Sequence, residues 1–139
     1  MEIYTGSFQI NTKGETDIID ITGNVQRILG KSGFNTGTVT VFISGSTAGI
    51  TTIEYESGLI KDLKDAFERA APREGSYEHN LRWGDGNGYA HVRASLTGQD
   101  ITVPFSEGSL ILGTWQQIIL IDFDNRSRSR EITVQIIGK

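Results

Sequence analysis

Apolar and polar positions alternate through Ile3, Phe8 and Ile10 at the start of the chain, with the β-favouring Tyr4 and Thr5 among them, which predicts a strand over residues 2–11. Residues 17–21 extend or follow it. The period then changes: Val25, Ile28 and Leu29 fall at i, i+3 and i+4, predicting a short helix over 22–33 with Thr22 as its N-cap and Gly30 or Gly33 at its end. Residues 36–44 are rich in β-branched side chains and read as a central strand. Small residues interrupt it at 45–49 before an extended pattern resumes over 50–55. From Ser57 onward Leu59, Ile60, Leu63, Ala66, Phe67 and Ala70 trace a helical apolar stripe that predicts a core-facing helix, stopped by Pro72. Residues 88–98 predict a further short helix with Val92 and Leu96 aimed at the core. Residues 101–105 form the next predicted strand, 106–108 a hairpin turn, and 109–123 one long apolar strand with a bulge at Gly113. Pro104 marks an edge or the end of the ladder. The alternation of Ile132, Val134 and Ile136 predicts a last strand paired to the preceding one across the arginine-rich turn. The fold class is α+β: a largely antiparallel sheet system covered by two or three helices, within one domain over 1–139.

Composition narrows the class. With 37% hydrophobic and 22% charged residues over 139 positions, the chain can bury a core without staples, and no apolar run approaches the ~20 residues of a membrane span. A formal net charge of -4 argues against a nucleic-acid binder that neutralises many phosphates. There is no cysteine, so thiol chemistry and thiolate metal sites are excluded. The first residues lack the basic and apolar segments of a secretory signal, and the expected location is cytoplasmic.

Candidate chemistry concentrates in residues 77–98. They hold both histidines, His79 and His91, with Asn80, Arg82, Asp85 and Asn87 between them. Imidazole, carboxylate, amide and guanidinium together suit acid–base or ligand-binding work, although Gly-Asp-Gly-Asn is also ordinary turn chemistry. Glu54 is a further acid–base or ligand candidate if its strand points it inward. Alternation on a strand would place Arg126, Arg128 and Arg130 on one face, a geometry suited to phosphate or carboxylate; the competing role is a solvated basic turn. Trp83 suits stacking on a heterocycle, whereas Trp115 in an apolar run suits a core or an interface. Gly45 and Gly49 with the hydroxyls of Ser46, Thr47, Thr51 and Thr52 suit an anion or simply a turn, and the Gly-Lys-Ser/Thr ending of a Walker loop is missing.

Several of these stretches together resemble the YjbQ family: STAGIT at 46–51, YEHN at 77–80, D-x-N-x-x-x-H from Asp85 to His91, RASLTG at 93–98, LILGTWQQIIL at 110–120 and DFDNRSRSR at 122–130. The resemblance implies an α+β fold, a homotrimer and a secondary thiamine phosphate synthase activity, joining a pyrimidine methyl diphosphate to a thiazole phosphate with release of pyrophosphate. It makes His79, Asp85, Asn87 and His91 the polar core of the site, with Gly113, Thr114, Trp115 and Gln116 nearby. Arg82, Arg126, Arg128 and Arg130, with Trp115 and Gln116, complete the set that would bind a small phosphorylated metabolite, and Arg93 is a further cation in reach. The sequence departs from the family at Gly45, where members commonly carry a histidine before the small-residue series. Two imidazoles with Asp85 would also serve as three ligands to zinc or magnesium, so metal-dependent hydrolysis of a small phosphorylated molecule is an alternative class. A non-enzymatic oligomeric binder of a metabolite or anion is a third.

Overall fold

The chain turns back on itself so that every strand pairing is antiparallel. The computed structural model describes all 139 residues. Its strands are β1 (Glu2–Thr12), β2 (Asp17–Asp20), β3 (Thr36–Ile43), β4 (Ala48–Glu54), β5 (Asp100–Ser106), β6 (Ser109–Leu110), β7 (Gln116–Asp122) and β8 (Arg128–Gly138). Its helices are α1 (Thr22–Ser32), α2 (Ser57–Ala70), α3 (Glu78–Trp83) and α4 (Gly88–Thr97). Five strands form one sheet in the order β1-β8-β3-β5-β6, and three form a second in the order β2-β7-β4.

β7 is the hinge of the architecture. Ile118 and Leu120 point to a core shared with α1 and the inner face of the larger sheet, where Val39, Val41, Val134 and Ile136 lie. Ile119 and Ile121 point the other way, to a core closed by Tyr89, Ala90 and Ala94 of α4. Period-2 geometry sends successive side chains to opposite faces, so a strand buried on both faces must be apolar at every position, as 118–121 is. Each such side chain contributes about 1.5–3 kcal/mol by leaving water.

Several expectations are corrected here. The run over 109–123 is two strands in two sheets, separated by residues 111–115, and Gly113 lies in the crossing, where its N–H donates to Gln116 Oε1 at 3.0 Å. β8 consequently pairs with β1 and β3 and not with β7. The turn at 106–108 does form, with left-handed Glu107 and Gly108, but Pro104 lies within the sheet, opposite Thr38 of β3, and its carbonyl accepts from the Ile111 N–H at 2.9 Å just past β6. Ile3 is 68% exposed because Phe8 and Ile10 are the inward phase of β1 and Ile3 is on the opposite one. Thr22 is the first helical residue of α1, whose cap is Ile21; its hydroxyl instead donates to Asp20 Oδ1 at 2.7 Å. Four helices form where two or three were expected, α3 being the addition. On α2 the stripe is only half-buried and Ala70 is exposed. On α4, Val92 and Leu96 face solvent. Small Ala90 and Ala94 let that helix lie close on β4, where a Cβ at Gly49 would come within 2.7 Å of Thr97.

Candidate functional site

Residues 77–98 fold as two short helices joined by a tight polar loop. Gly84 and Gly86 take left-handed conformations that glycine adopts without strain. At Gly88 the chain passes so close to Tyr77 that a Cβ would lie 2.6 Å from the tyrosine side chain, and its N–H donates to Asn80 Oδ1 at 2.9 Å. This contact folds α3 against α4 and brings the histidines together. The ring centroids of His79 and His91 are 4.4 Å apart with a 52° tilt. His79 Nε2 lies 3.0 Å from Asn87 Oδ1 and 3.3 Å from Asp85 Oδ1.

Behind the rings stands a buried network. Asn87 Nδ2 donates to Asp124 Oδ1 at 3.3 Å. Asp124 also accepts from Thr47 Oγ1 at 3.1 Å, from the Asn125 N–H at 2.8 Å, and from Arg128 Nε and Nη2 at 3.0 and 2.6 Å. Its neighbour Asp122 accepts from Thr12 Oγ1 at 2.6 Å, from Arg130 Nε and Nη2 at 2.8 and 2.9 Å, and from the Asp124 N–H at 3.0 Å. Both carboxylates are fully buried, and no buried side-chain polar atom in the molecule lacks a partner. Burial alone would raise the Asp124 pKa. The Arg128 guanidinium, the Asn125 N–H and the Asn87 amide outweigh it, so the carboxyl is held below the ordinary range.

Burial, then the proximity of His79, lower the pKa of His91; Asp85, Asp124 and the Ser46 backbone pull it the other way without cancelling the shift. At neutral pH His91 is therefore a neutral imidazole, able to accept a proton.

The other residues singled out by sequence divide into near and far. Arg128 and Arg130 share a face of β8, as the alternation predicts, while Arg126 precedes the strand and is exposed. The two strand arginines direct their forks at carboxylates of their own chain. Arg82 is exposed and lies 5.6 Å over the Trp83 ring, and Trp83 itself is 66% exposed. Arg93 is buried and bound to the Ala71 carbonyl, Thr16 and Glu68, a structural role.

Thr114, Trp115 and Gln116 are at the opposite end of β7 from Asp122, about 20 Å away at 3.3 Å per residue, so within one chain they are remote from the histidines. There Thr114, Trp115 and Gln117 line an open cleft of about 370 Å³ with Asp20, Glu54, Tyr55 and Glu56. Glu54 thus belongs to the cleft. No three histidine, aspartate or glutamate side chains converge in an arrangement that would hold an ion, and Asp85 pairs with the His79 ring instead of flanking an ion beside it. As arranged, His79, Asp85 and His91 do not fit a three-ligand metal site.

Asp122 and Asp124 are the residues that sequence reasoning passed over as site residues, whereas Thr47, read as an anion-binding hydroxyl or part of a turn, donates to Asp124. A signal was present: two aspartates within an apolar run that ends in three arginines can be buried only if paired.

The comparisons with known proteins agree with this architecture. The family model described as UPF0047 protein YjbQ-like matches residues 6–139. A UPF0047 protein of Methanothermobacter thermautotrophicus is 40% identical over 139 residues, covering 100% of this chain and 95% of its own. The UPF0047 protein YugU of Bacillus subtilis is 34% identical, covering 95% of this chain and 98% of its own. A crystal structure of a YbjQ-like protein of unknown function from Sulfolobus solfataricus superposes with a TM-score of 0.94 at 35% identity, over 99% of both chains. A hypothetical protein of Aeropyrum pernix superposes with a TM-score of 0.91 at 30% identity, over 98% of this chain and 99% of its own. With its two-layer sheet, its paired histidines and a family match over nearly the whole length, this chain belongs to the UPF0047 (YjbQ-like) family.

Proposed function

We propose that the two-histidine site performs acid–base chemistry on a small phosphorylated metabolite, in a transfer of the thiamine phosphate synthase type. The observation that supports it most directly is the 4.4 Å separation of the His79 and His91 rings above a buried, ionised Asp124. In such a transfer the bond between the pyrimidine methylene and its diphosphate oxygen breaks, and pyrophosphate leaves with the electron pair. The thiazole nitrogen supplies the pair for the new C–N bond. The departing pyrophosphate needs a proton or a cation, and an imidazolium beside a neutral imidazole can supply the proton and exchange it. Arg126 and Arg82 are the exposed cations for the phosphate oxygens, since Arg128 and Arg130 are engaged by Asp124 and Asp122.

Trp115 and Gln116 join this site only from another copy of the chain. The 73% exposure of Trp115 suits such a contact, and a homotrimer is the proposed assembly.

The test is pyrophosphate release from the pyrimidine diphosphate and the thiazole phosphate together. Turnover in the wild type, falling by about 10²–10⁴-fold in His91→Ala with the fold intact, is the expected result. A wild type with no release and no binding of either precursor would reject the reading.

A further inference from the structure

From the geometry behind the rings we infer that Asp124, acting through Asn87, fixes neutral His79 as its Nε2–H tautomer, so that Nδ1 is the atom of this imidazole free to take a proton. An ionised carboxylate has acceptor oxygens only, so whatever contacts it must donate. Asp124 is fully buried and already receives the Arg128 guanidinium, the Thr47 hydroxyl and the Asn125 N–H. The Asn87 side chain at 3.3 Å must therefore turn its NH₂ group toward Asp124. That fixes the orientation of an amide whose two ends are otherwise nearly interchangeable.

With the NH₂ committed, the oxygen Oδ1 faces His79 Nε2 at 3.0 Å. A carbonyl oxygen carries no proton, so the bond exists only if Nε2 carries one. Asp85 Oδ1, 3.3 Å from the same nitrogen, adds a second acceptor and asks for the same proton. The groups around the ring act in one direction: Asn87 and Asp85 accept at Nε2, and His91 packs on the ring. Asn87 is itself buried, which keeps water from substituting for either partner. Asp124 is thus a positioning residue, one amide removed from the imidazole it orients.

This inference concerns the same histidine as the proposed reaction, but it is read with no substrate present, so either can fail alone. The measurement is ¹⁵N NMR of the full-length protein labelled at histidine, above the pH at which both rings are neutral. The wild type is expected to show His79 protonated at Nε2 and bare at Nδ1. In Asn87→Ala/Asp85→Ala both acceptors are gone, and His79 should relax to the tautomer mixture of a free imidazole, with the backbone amide spectrum confirming the fold. In Asp124→Asn/Asp85→Ala the oxygen of the new amide stays on Arg128 and Thr47, so its NH₂ faces Asn87 Oδ1 and donates to it, which turns the Asn87 NH₂ toward the ring and moves the proton to Nδ1. Wild-type His79 protonated at Nδ1, or an Nε2–H signature unchanged in the double variant, would overturn the inference.

Discussion

The two ends of β7 hold the same kind of side chain in opposite circumstances. At its C-terminal end Asp122 and the adjacent Asp124 are wholly buried, and their oxygens receive guanidinium, hydroxyl, amide and backbone donors. At its N-terminal end Glu54 and Glu56 are exposed beside Trp115, on the rim of an open cleft. Water solvates Glu54, and Glu56 shares water with the Gly58 and Leu59 N–H groups at the start of α2, whereas every donor to the buried pair had to be supplied by the fold. The buried pair is therefore where removal of one partner leaves a charge stranded, and it is also what holds Asn87 against the His79 ring.

The comparison breaks most severely at Asp122. Asp122→Ala leaves the largely buried Arg130 with only the Thr47 hydroxyl and Asp124 at 4.0 Å, and strands the Thr12 hydroxyl, and should cost about 3–5 kcal/mol, measured by urea unfolding. A loss below 1 kcal/mol would mean that Arg130 finds water and that the network is not closed.

Acid sharpens the contrast next. His91 has a lowered folded pKa, so its contribution is complete above the ordinary histidine value near ~6.5 and is lost as pH falls through the folded one. Asp124 is also lowered; its contribution is complete above the ordinary aspartate value near ~3.9 and is lost as pH falls through its own folded value. Stability measured against pH should fall in these two ranges, and the lower loss should be smaller in Asp124→Asn but not absent, because Glu15 and Asp20 are lowered as well.

Trp115→Ala should leave the unfolding of a single chain nearly unchanged and act on assembly instead. Sedimentation of the wild type as a trimer, shifted toward monomer in the variant, is the expected outcome. A monomeric wild type would remove Trp115 from any shared site. The smallest effect belongs to Glu54→Gln, an exposed cleft residue, for which a stability change within about 0.5 kcal/mol is expected by thermal unfolding.

Much of this was legible from residue order. The period of Leu59, Ile60, Leu63 and Phe67 gave α2, the β-branched run gave β3, and the alternation of Ile132, Val134 and Ile136 gave the inward face of β8. Where the pattern misled, a neighbour in space had decided. Val92 and Leu96 look like the buried side of α4, yet Ala90 and Ala94 take that place because a helix lying close on β4 needs small residues beneath it. The crossing from β6 to β7 was hidden because an apolar run reads alike whether it belongs to one sheet or two.

The site followed the same division. The clustering of His79, Asp85, Asn87 and His91 is a property of the sequence, since the four lie within thirteen residues and a short helix pair can bring them together. Asp122 and Asp124 join them only in three dimensions, from a strand more than thirty residues onward. Local periodicity fixes which face a side chain takes, because it depends on the backbone alone. Which carboxylate is buried, and which donors satisfy it, depends on what the rest of the chain places opposite, and that was decided by the packing of two sheets across β7.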